Sequence, residues 1–427
     1  MKIGMISLGC DKNRVDSEKM LALIAAAGYE ITDDIKAADA VIINTCAFIE
    51  SAKKEAIENI LSTAAYKADS LKFLIVTGCF AQRYGKVADF PEVDLFLDIS
   101  EEKNIVSHLN ELFDEKPATN CSDAGRIITT PAHYAYLKIA DGCDNRCTYC
   151  AIPYIRGKYR STPVEELVKE AKNLLKDGVK ELILVAQDTT NYGKDLYGKP
   201  SLTKLLQELV KLDFWKIRIL YAYPELIDDN LLDFIANNDK IARYLDIPMQ
   251  HADPLVLKKM NRRGSSDLPA LIAHIREKVP GISIRSTFIC GFPYETEKEH
   301  AELLSFLKNG VDFGGFFAFS PEEDTPAYGW KNRANKRTAA KWVKECEAVQ
   351  SEATVSSQRR FVGQTIDVLY EGIDYKKQTF VGRSEHNAPD VDTSVYFTAD
   401  FPLEIGRVYK VKITDSDFNL YGEAVKE

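Results

Sequence analysis

The sequence has no apolar run approaching the ~20 residues of a membrane span, which argues against a helical membrane protein. Its opening residues, MKIGMISLGCDKNRVDSE, carry charges where a signal peptide needs an uninterrupted apolar stretch. A soluble, cytoplasmic protein without membrane partners is expected. There is no basic surplus either: 55 Lys and Arg stand against 64 Asp and Glu, a net of −9. That balance argues mildly against a dedicated nucleic-acid binder and leaves room for a local basic groove. Repeats and low-complexity tracts are absent. Hydrophobic content of 45% and charged content of 28% lie near globular averages and exclude a mostly disordered or fibrous chain. What is there is length: 427 residues exceed the ~250–300 that one core supports, so two or three domains are expected.

Residues 1–115 alternate continuous apolar runs (KIGMISLG, AVIINT, FLIVTG) with helical stretches (SEKMLALIAAAGY, SAKKEAIENILSTAAY). This alternation predicts a parallel α/β sheet with right-handed crossovers. Residues 116–132, rich in Pro, Gly, Ser and Thr, read as a linker. From 133 to 358 six further strands (YLKIA, ELILVA, KIRILY, YLDIPM, ISIRSTFIC, FGGFFAFS) alternate with helices such as PVEELVKEAKNLLKDG, which places Pro163 at N1 and a Gly past the end. Six βα units predict a partial (β/α)6 barrel. From 361 to 427 five short strands joined by polar turns predict a small antiparallel β-barrel of the OB sort.

Nine cysteines in a cytosolic chain are not expected to form a disulfide framework. Cys143, Cys147 and Cys150 are spaced Cx3Cx2C directly after the first barrel strand. Three thiolates on so short a loop suit three corners of an iron–sulfur cubane. The alternative is a structural zinc site, which wants a fourth ligand; no fourth Cys lies nearby, and His133 is ten residues upstream across a strand. A cluster with one open iron fits three ligands better.

This segment, with Tyr149 before the last Cys, resembles the radical S-adenosylmethionine (SAM) superfamily. The resemblance implies a 4Fe-4S cluster whose open iron chelates SAM and whose electron cleaves it to a 5′-deoxyadenosyl radical. It also implies that Gln187 and Asp188 of AQDTTNYG lie near the methionyl group. Gly291 and Phe292 of ICGFPYET would then stand by the adenine and ribose, with Tyr294 where the superfamily has a second Gly. All these segments end strands, where barrel active sites are built.

Cys10, Cys46 and Cys79 end KIGMISLGC, AVIINTC and FLIVTGC, so each is delivered to the carboxyl edge of one parallel sheet. A single buried Cys is usually a small hydrophobe; three at equivalent positions point to a second cluster. Here the resemblance narrows to the methylthiotransferase family, whose layout is a three-cysteine domain, a radical SAM barrel and a C-terminal TRAM barrel. It implies two 4Fe-4S clusters, the N-terminal one handling sulfur, and a new C–SCH3 bond. Cys121, Cys290 and Cys346 are expected to be structural or incidental.

The family divides between adenosine in transfer RNA and an aspartate of a ribosomal protein. SLGCDKNRVDSE and DIPMQH resemble the protein-modifying branch, with Asp11 at a position where that branch usually has Pro. The resemblance implies that the substrate is the β-carbon of an aspartate in small-subunit ribosomal protein S-twelve, with transfer-RNA adenosine as the alternative. Residues 361–427 hold 12 acidic and 7 basic residues, net −5, which suits a basic protein better than RNA. Surface acidity that merely aids solubility explains the same balance. RNA contact is therefore not favoured. No cluster ligand lies in that segment, so its removal is expected to spare SAM cleavage. Arg156 and Arg160 in YIRGKYR could clamp a carboxylate of SAM or of the target, or form a solvated face. An electron donor such as flavodoxin or ferredoxin is implied.

Overall fold

Five strands build the first sheet: β1 (Lys2–Ser7), β2 (Glu30–Thr32), β3 (Ala40–Thr45), β4 (Phe73–Thr77) and β5 (Leu95–Phe96), in the order β2-β1-β3-β4-β5. All four pairings are parallel. The computed structural model describes residues 1–86, 90–114, 124–262 and 267–426, so Cys121 lies outside the described residues. β1, β3 and β4 are the three runs read from the sequence. β2 and β5 are three and two residues long, too short to show a period.

Alternate residues of the central strands supply two cores. Val41, Ile43, Leu74 and Val76 meet Ala56 and Ile60 of the helix Glu50–Ala64 on one face. Ile3, Ile42 and Ile75 meet Met20 and Ile24 on the other. The helix that follows β1, α1 (Asp11–Ala26), starts six residues before its apolar period because Cys10 serves as its N-cap and Asp11 sits in its first turn. Its first turns bury Asn13, Asp16, Ser17 and Glu18, polar residues that a hydrophobic period passes over.

The chain folds into two compact units. The first holds Met1–Pro131 together with Asp141–Arg160 and Ser320–Tyr328; the second holds Ala132–Ala140, Ser161–Phe319 and Gly329–Glu427.

In the second unit β6 (Tyr134–Lys138), β7 (Glu181–Val185), β8 (Lys216–Ile219), β9 (Ile241–Asp246), β10 (Ser283–Cys290) and β11 (Phe313–Ala318) lie side by side in chain order, every pair parallel. This is the open six-stranded barrel. Pro163 stands at the N-cap of the helix Val164–Lys176, one position before the expected N1. β12 (Thr365–Asp374), β13 (Thr379–Arg383), β14 (Val395–Thr398), β15 (Val408–Ser416) and β16 (Leu420–Ala424) close a small barrel in the order β12-β13-β14-β16-β15. Four pairings are antiparallel, and β14 with β16 is parallel.

Buried charge joins the small barrel to the large one. The fully buried Arg218 donates to Glu181 at 2.7 Å and to the carbonyls of Ser384 and Glu385. Arg383 holds the other oxygen of Glu181 at 2.8 Å and pairs with Glu371 at 2.8 Å. Lys216 meets Glu385 at 3.1 Å, and the Tyr244 hydroxyl donates to Asp392 at 2.6 Å. Three of the twelve C-terminal acids are therefore neutralised inside the protein, and Asp392 among them is no surface charge. Among the described residues no helix is long and apolar enough to cross a membrane.

Candidate functional site

At the carboxyl edge of the first sheet, Gly9 and Gly78, both with positive φ, and two asparagines make the turns. Gly9 has φ +88°, and a Cβ there would lie 2.6 Å from the Cβ and 3.1 Å from the Sγ of Cys46. Only glycine lets the turn after β1 come so close to the residue that ends β3. Asn13 donates to the carbonyls of Leu8 and Thr45, both at 3.0 Å, and Asn44 donates to the Asn13 carbonyl and the Ser17 hydroxyl. The Thr45 hydroxyl donates to the Thr77 carbonyl. These bonds tie the turns bearing Cys10, Cys46 and Cys79 into one lattice.

The three thiols share one electrostatic environment. Burial pushes the Cys46 thiol up to about 12, with the neighbouring charges of Cys79 and Cys10 adding to it. Burial also pushes Cys79 up, against the pull of Arg156. Cys10 occupies the N-cap of α1, where the helix dipole favours negative charge, and its thiol lies 3.9 Å from Asn13 Oδ1. Among the described residues no group of three His, Cys, Asp or Glu side chains closes round a single metal ion. A four-iron cubane spreads its thiolate ligands across separate corners, and two buried thiols and the half-buried Cys10 beside one guanidinium fit that group.

The loop with the other three cysteines packs in the same unit. Ala151 and Ile155, just after Cys150, lie in one core cluster with Ala47, Cys79, Phe80 and Ala81. Gly142, φ +77°, precedes Cys143, and a Cβ on it would collide with the Lys158 carbonyl. The Cys143 amide donates to the Gly157 carbonyl at 3.1 Å, and the Cys150 amide to the Cys147 carbonyl at 3.1 Å. Arg146 sits between the cysteines at φ +50°, a left-handed conformation that few non-glycine residues adopt. The loop is thus held in one shape by backbone bonds. Three thiols, with no fourth metal ligand grouped with them among the described residues, fit a cubane with one open iron.

Arg156 is the link between the two groups. It is 4% exposed, takes both oxygens of Asp141 at 3.0 and 2.8 Å, reaches Asp16 at 3.3 Å, and donates to Asn13 Oδ1 at 2.6 Å. Burial opposes its charge, but Asp141, Cys79, Asp16 and Cys10 together hold it well above the ordinary value. The guanidinium does find carboxylates, as expected of it, but they belong to its own chain. Its partners Asp16 and Asn13 lie 140 and 143 residues away, so only their place in the SLGCDKNRVDSE phrase hinted at them. Arg160 is exposed and donates to the carbonyls of Lys158 and Arg156.

In the second unit Gln187 follows β7 and Gly291 follows β10, both at carboxyl ends of strands in one sheet. Asp188 accepts from the Thr190 hydroxyl at 2.7 Å and the Asn191 amide at 3.2 Å, a turn-forming role. Gly291 has φ +80°, and a Cβ would meet that of Ala339 at 2.7 Å. The amides of Gly291 and Phe292 both donate to Glu295. Burial raises the Glu295 carboxyl, and His251 at 3.4 Å with His300 at 3.5 Å outweighs it, leaving it below the usual range. Phe292 is buried against Phe319 and Trp330. Glu295, His251 and His300 were not singled out in the sequence, although two of them lie in quoted segments, ICGFPYET and DIPMQH.

Three family models match this chain: the uncharacterized protein family UPF0004 over residues 2–98, the radical SAM superfamily over 137–307 and the TRAM domain over 362–425. The chain is 43% identical to the ribosomal protein uS12 methylthiotransferase RimO of Acetivibrio thermocellus, over 100% of this chain and 99% of the relative. It is 44% identical to that of Desulforamulus reducens, covering 99% of each. Against that of Clostridium botulinum the identity is 45%, over 99% of this chain and 97% of the relative. Among solved structures, the radical S-adenosylmethionine methyltransferase TsrM from Kitasatospora setae, with cobalamin and a 4Fe-4S cluster bound, aligns with a TM-score of 0.54 over 77% of each chain. At 14% identity that likeness shows the fold.

Proposed function

Because the chain belongs to the ribosomal protein uS12 methylthiotransferase family and is a radical SAM enzyme of that type, we propose that it methylthiolates the β-carbon of an aspartate in the basic ribosomal protein S-twelve. The observation that carries this reading is the convergence of Cys10, Cys46 and Cys79 in the unit that also holds the Cx3Cx2C loop. Cys143, Cys147 and Cys150 would hold the cluster that binds SAM, and Cys10, Cys46 and Cys79 the cluster that handles sulfur. When bound, these groups supply the electron that cleaves SAM and the sulfur that the product keeps.

The chain's own residues bind and orient. Asn13, Asn44 and Thr45 fix the three turns of the sheet edge. Arg156 keeps a positive charge against the Cys79 sulfur and clamps the cysteine loop through Asp141. Glu295 shapes the Gly291 turn, whose backbone would face the adenosyl group, and Gln187 would reach the methionyl end. A ribosomal protein substrate puts the reaction in the cytoplasm, with flavodoxin or ferredoxin as the class of electron donor.

RNA contact has one observation in its favour. Tyr396 and Tyr421 stack at 5.8 Å on the small barrel, and Lys377 lies 3.6 Å over the Tyr396 ring, the pairing of aromatic face and cation that single-stranded RNA uses. Ribosome-bound substrate would accommodate both partners.

Anaerobically reconstituted protein is expected to hold about eight irons, and about four after Cys143, Cys147 and Cys150 are changed to Ala. With Cys10, Cys46 and Cys79 changed to Ala, reductant and SAM should still yield 5′-deoxyadenosine, while methylthio product on the ribosomal protein disappears. Methylthiolation retained by that variant would refute the assigned role.

A further inference from the structure

A cavity of about 290 Å³ opens in the second unit between β11, the long helix Lys336–Gln358 and two loops of the small barrel. Phe313 and Gly314 begin β11 and line it, and in the sheet Phe313 pairs with Arg285 while Ala318 pairs with Cys290. Phe316 lines it as well, so the cavity lies between two and five residues, roughly 7–17 Å at ~3.3 Å per residue, short of the strand ends where Gly291 turns. It is no place for the reacting carbon.

Its chemistry is one-sided. Phe313, Phe316 and Phe418 supply aromatic surface, and Phe418 and Val391 are 45% and 55% exposed at its rim. Among the described residues no Lys or Arg lines it. Gln350 is 4% exposed, and its amide nitrogen donates to the carbonyls of Val311 and Asp312 and to the Thr354 hydroxyl. Those three acceptors fix which way the amide points. Its Oε1 is left buried without a hydrogen-bond partner, 3.0 Å from where a Cβ on the lining residue Gly314 would be. Glu347 adds an exposed carboxylate that forms no ion pair among the described residues. Asp392 on the wall is already matched by Arg285 at 3.3 Å and Tyr244.

We propose that this cavity is a docking pocket for one Lys or Arg side chain of the basic protein substrate, an anchor remote from the reacting aspartate. Aromatic surface attracts a cation, and the exposed Glu347 carboxylate completes a charge-assisted bond. About 300 Å³ is the small end of ligand pockets, sized for a side chain. A phosphate would meet Glu347 and no cation. The inference rests on the ribosomal protein reading above.

Full-length, anaerobically reconstituted protein would be titrated with the isolated ribosomal protein and, separately, with a transfer-RNA anticodon stem-loop. Glu347→Gln and Phe418→Ala should each weaken binding of the ribosomal protein about tenfold, and Glu347→Lys more. The KM for methylthiolation should rise with kcat unchanged. SAM cleavage to 5′-deoxyadenosine should match wild type and report that the variants are folded. If wild type binds and modifies the ribosomal protein and all three variants do so equally well, the pocket is overturned and the functional reading stands. If wild type neither binds nor modifies it, the functional reading falls. A stem-loop whose binding is lost in Phe418→Ala and strengthened in Glu347→Lys would overturn the cationic occupant in favour of RNA.

Discussion

His386 lies against the Phe361 ring at 4.7 Å, with its Nδ1 3.3 Å from the Ser283 hydroxyl. Burial holds its imidazole down at about 4, and Arg360, Arg218 and Lys216 push the same way against Glu385. An unfolded histidine titrates near 6.5, so as pH falls the unfolded chain takes up this proton first. Stability from this residue is complete above about pH 6.5 and is lost progressively toward pH 4, on the order of 3 kcal/mol in all. Glu371 and Glu385, held below the usual carboxylate range despite burial, lose their contribution only at lower pH, below about 4.5. Urea midpoints measured between pH 7.5 and 4.5 should fall across that window in wild type and stay flatter in His386→Gln. At this scale the six cysteines proposed as cluster ligands could be picked out because each ends a readable strand or sits in a tight spacing. The partners of Arg156 were not, since pairing across 140 residues leaves no local trace.

The turn between β1 and α1 shows how much an element boundary can carry. Gly9→Ala would add a Cβ 2.6 Å from that of Cys46 and strain a backbone at φ +88°. Iron in the reconstituted protein should drop from about eight toward about four, because the N-terminal site loses its geometry while the Cx3Cx2C loop is untouched. Gly178→Ala is the control: φ +94° with nothing within 4 Å, so only the backbone cost of about 1 kcal/mol is expected, with iron unchanged. Equal iron in the two variants would show that the close approach is immaterial. The three central strands and the six barrel strands were readable as apolar runs, and the five C-terminal strands as short strands joined by polar turns. The start of α1 was not, because its buried first turns are polar and serve the site instead of the core.

For the whole molecule, the seam between the two barrels decides what can be removed. Glu181, fully buried, faces both Arg218 and Arg383. Glu181→Gln should destabilise the second unit by about 3–5 kcal/mol, because it removes the carboxylate from the buried Arg218 and leaves Arg383 with Glu371 alone. Chemical denaturation would measure it, and an unchanged midpoint would mean the charges are solvated. By the same argument, deleting residues 361–427 would bare Arg218 and Lys216, so SAM cleavage is not expected to survive it cleanly. Composition alone, 12 acids against 7 bases, hid this, since Glu371, Glu385 and Asp392 face inward.

The first unit is discontinuous in the chain, and that bears on the order of its making. Residues Ser320–Tyr328 belong to it, and Glu322 there pairs with Arg83 at 2.9 Å and Lys53 at 3.2 Å. A ribosome that has just finished Pro131 must add about 200 more residues before that strap exists. At ~5–20 residues per second the wait is roughly 10–40 s. Throughout it, the sheet edge with Cys10, Cys46 and Cys79 stands without the segment that completes its fold. Metal delivery in the cell is therefore best timed late in synthesis or after it, when the thiols of both trios have been brought into one closed body.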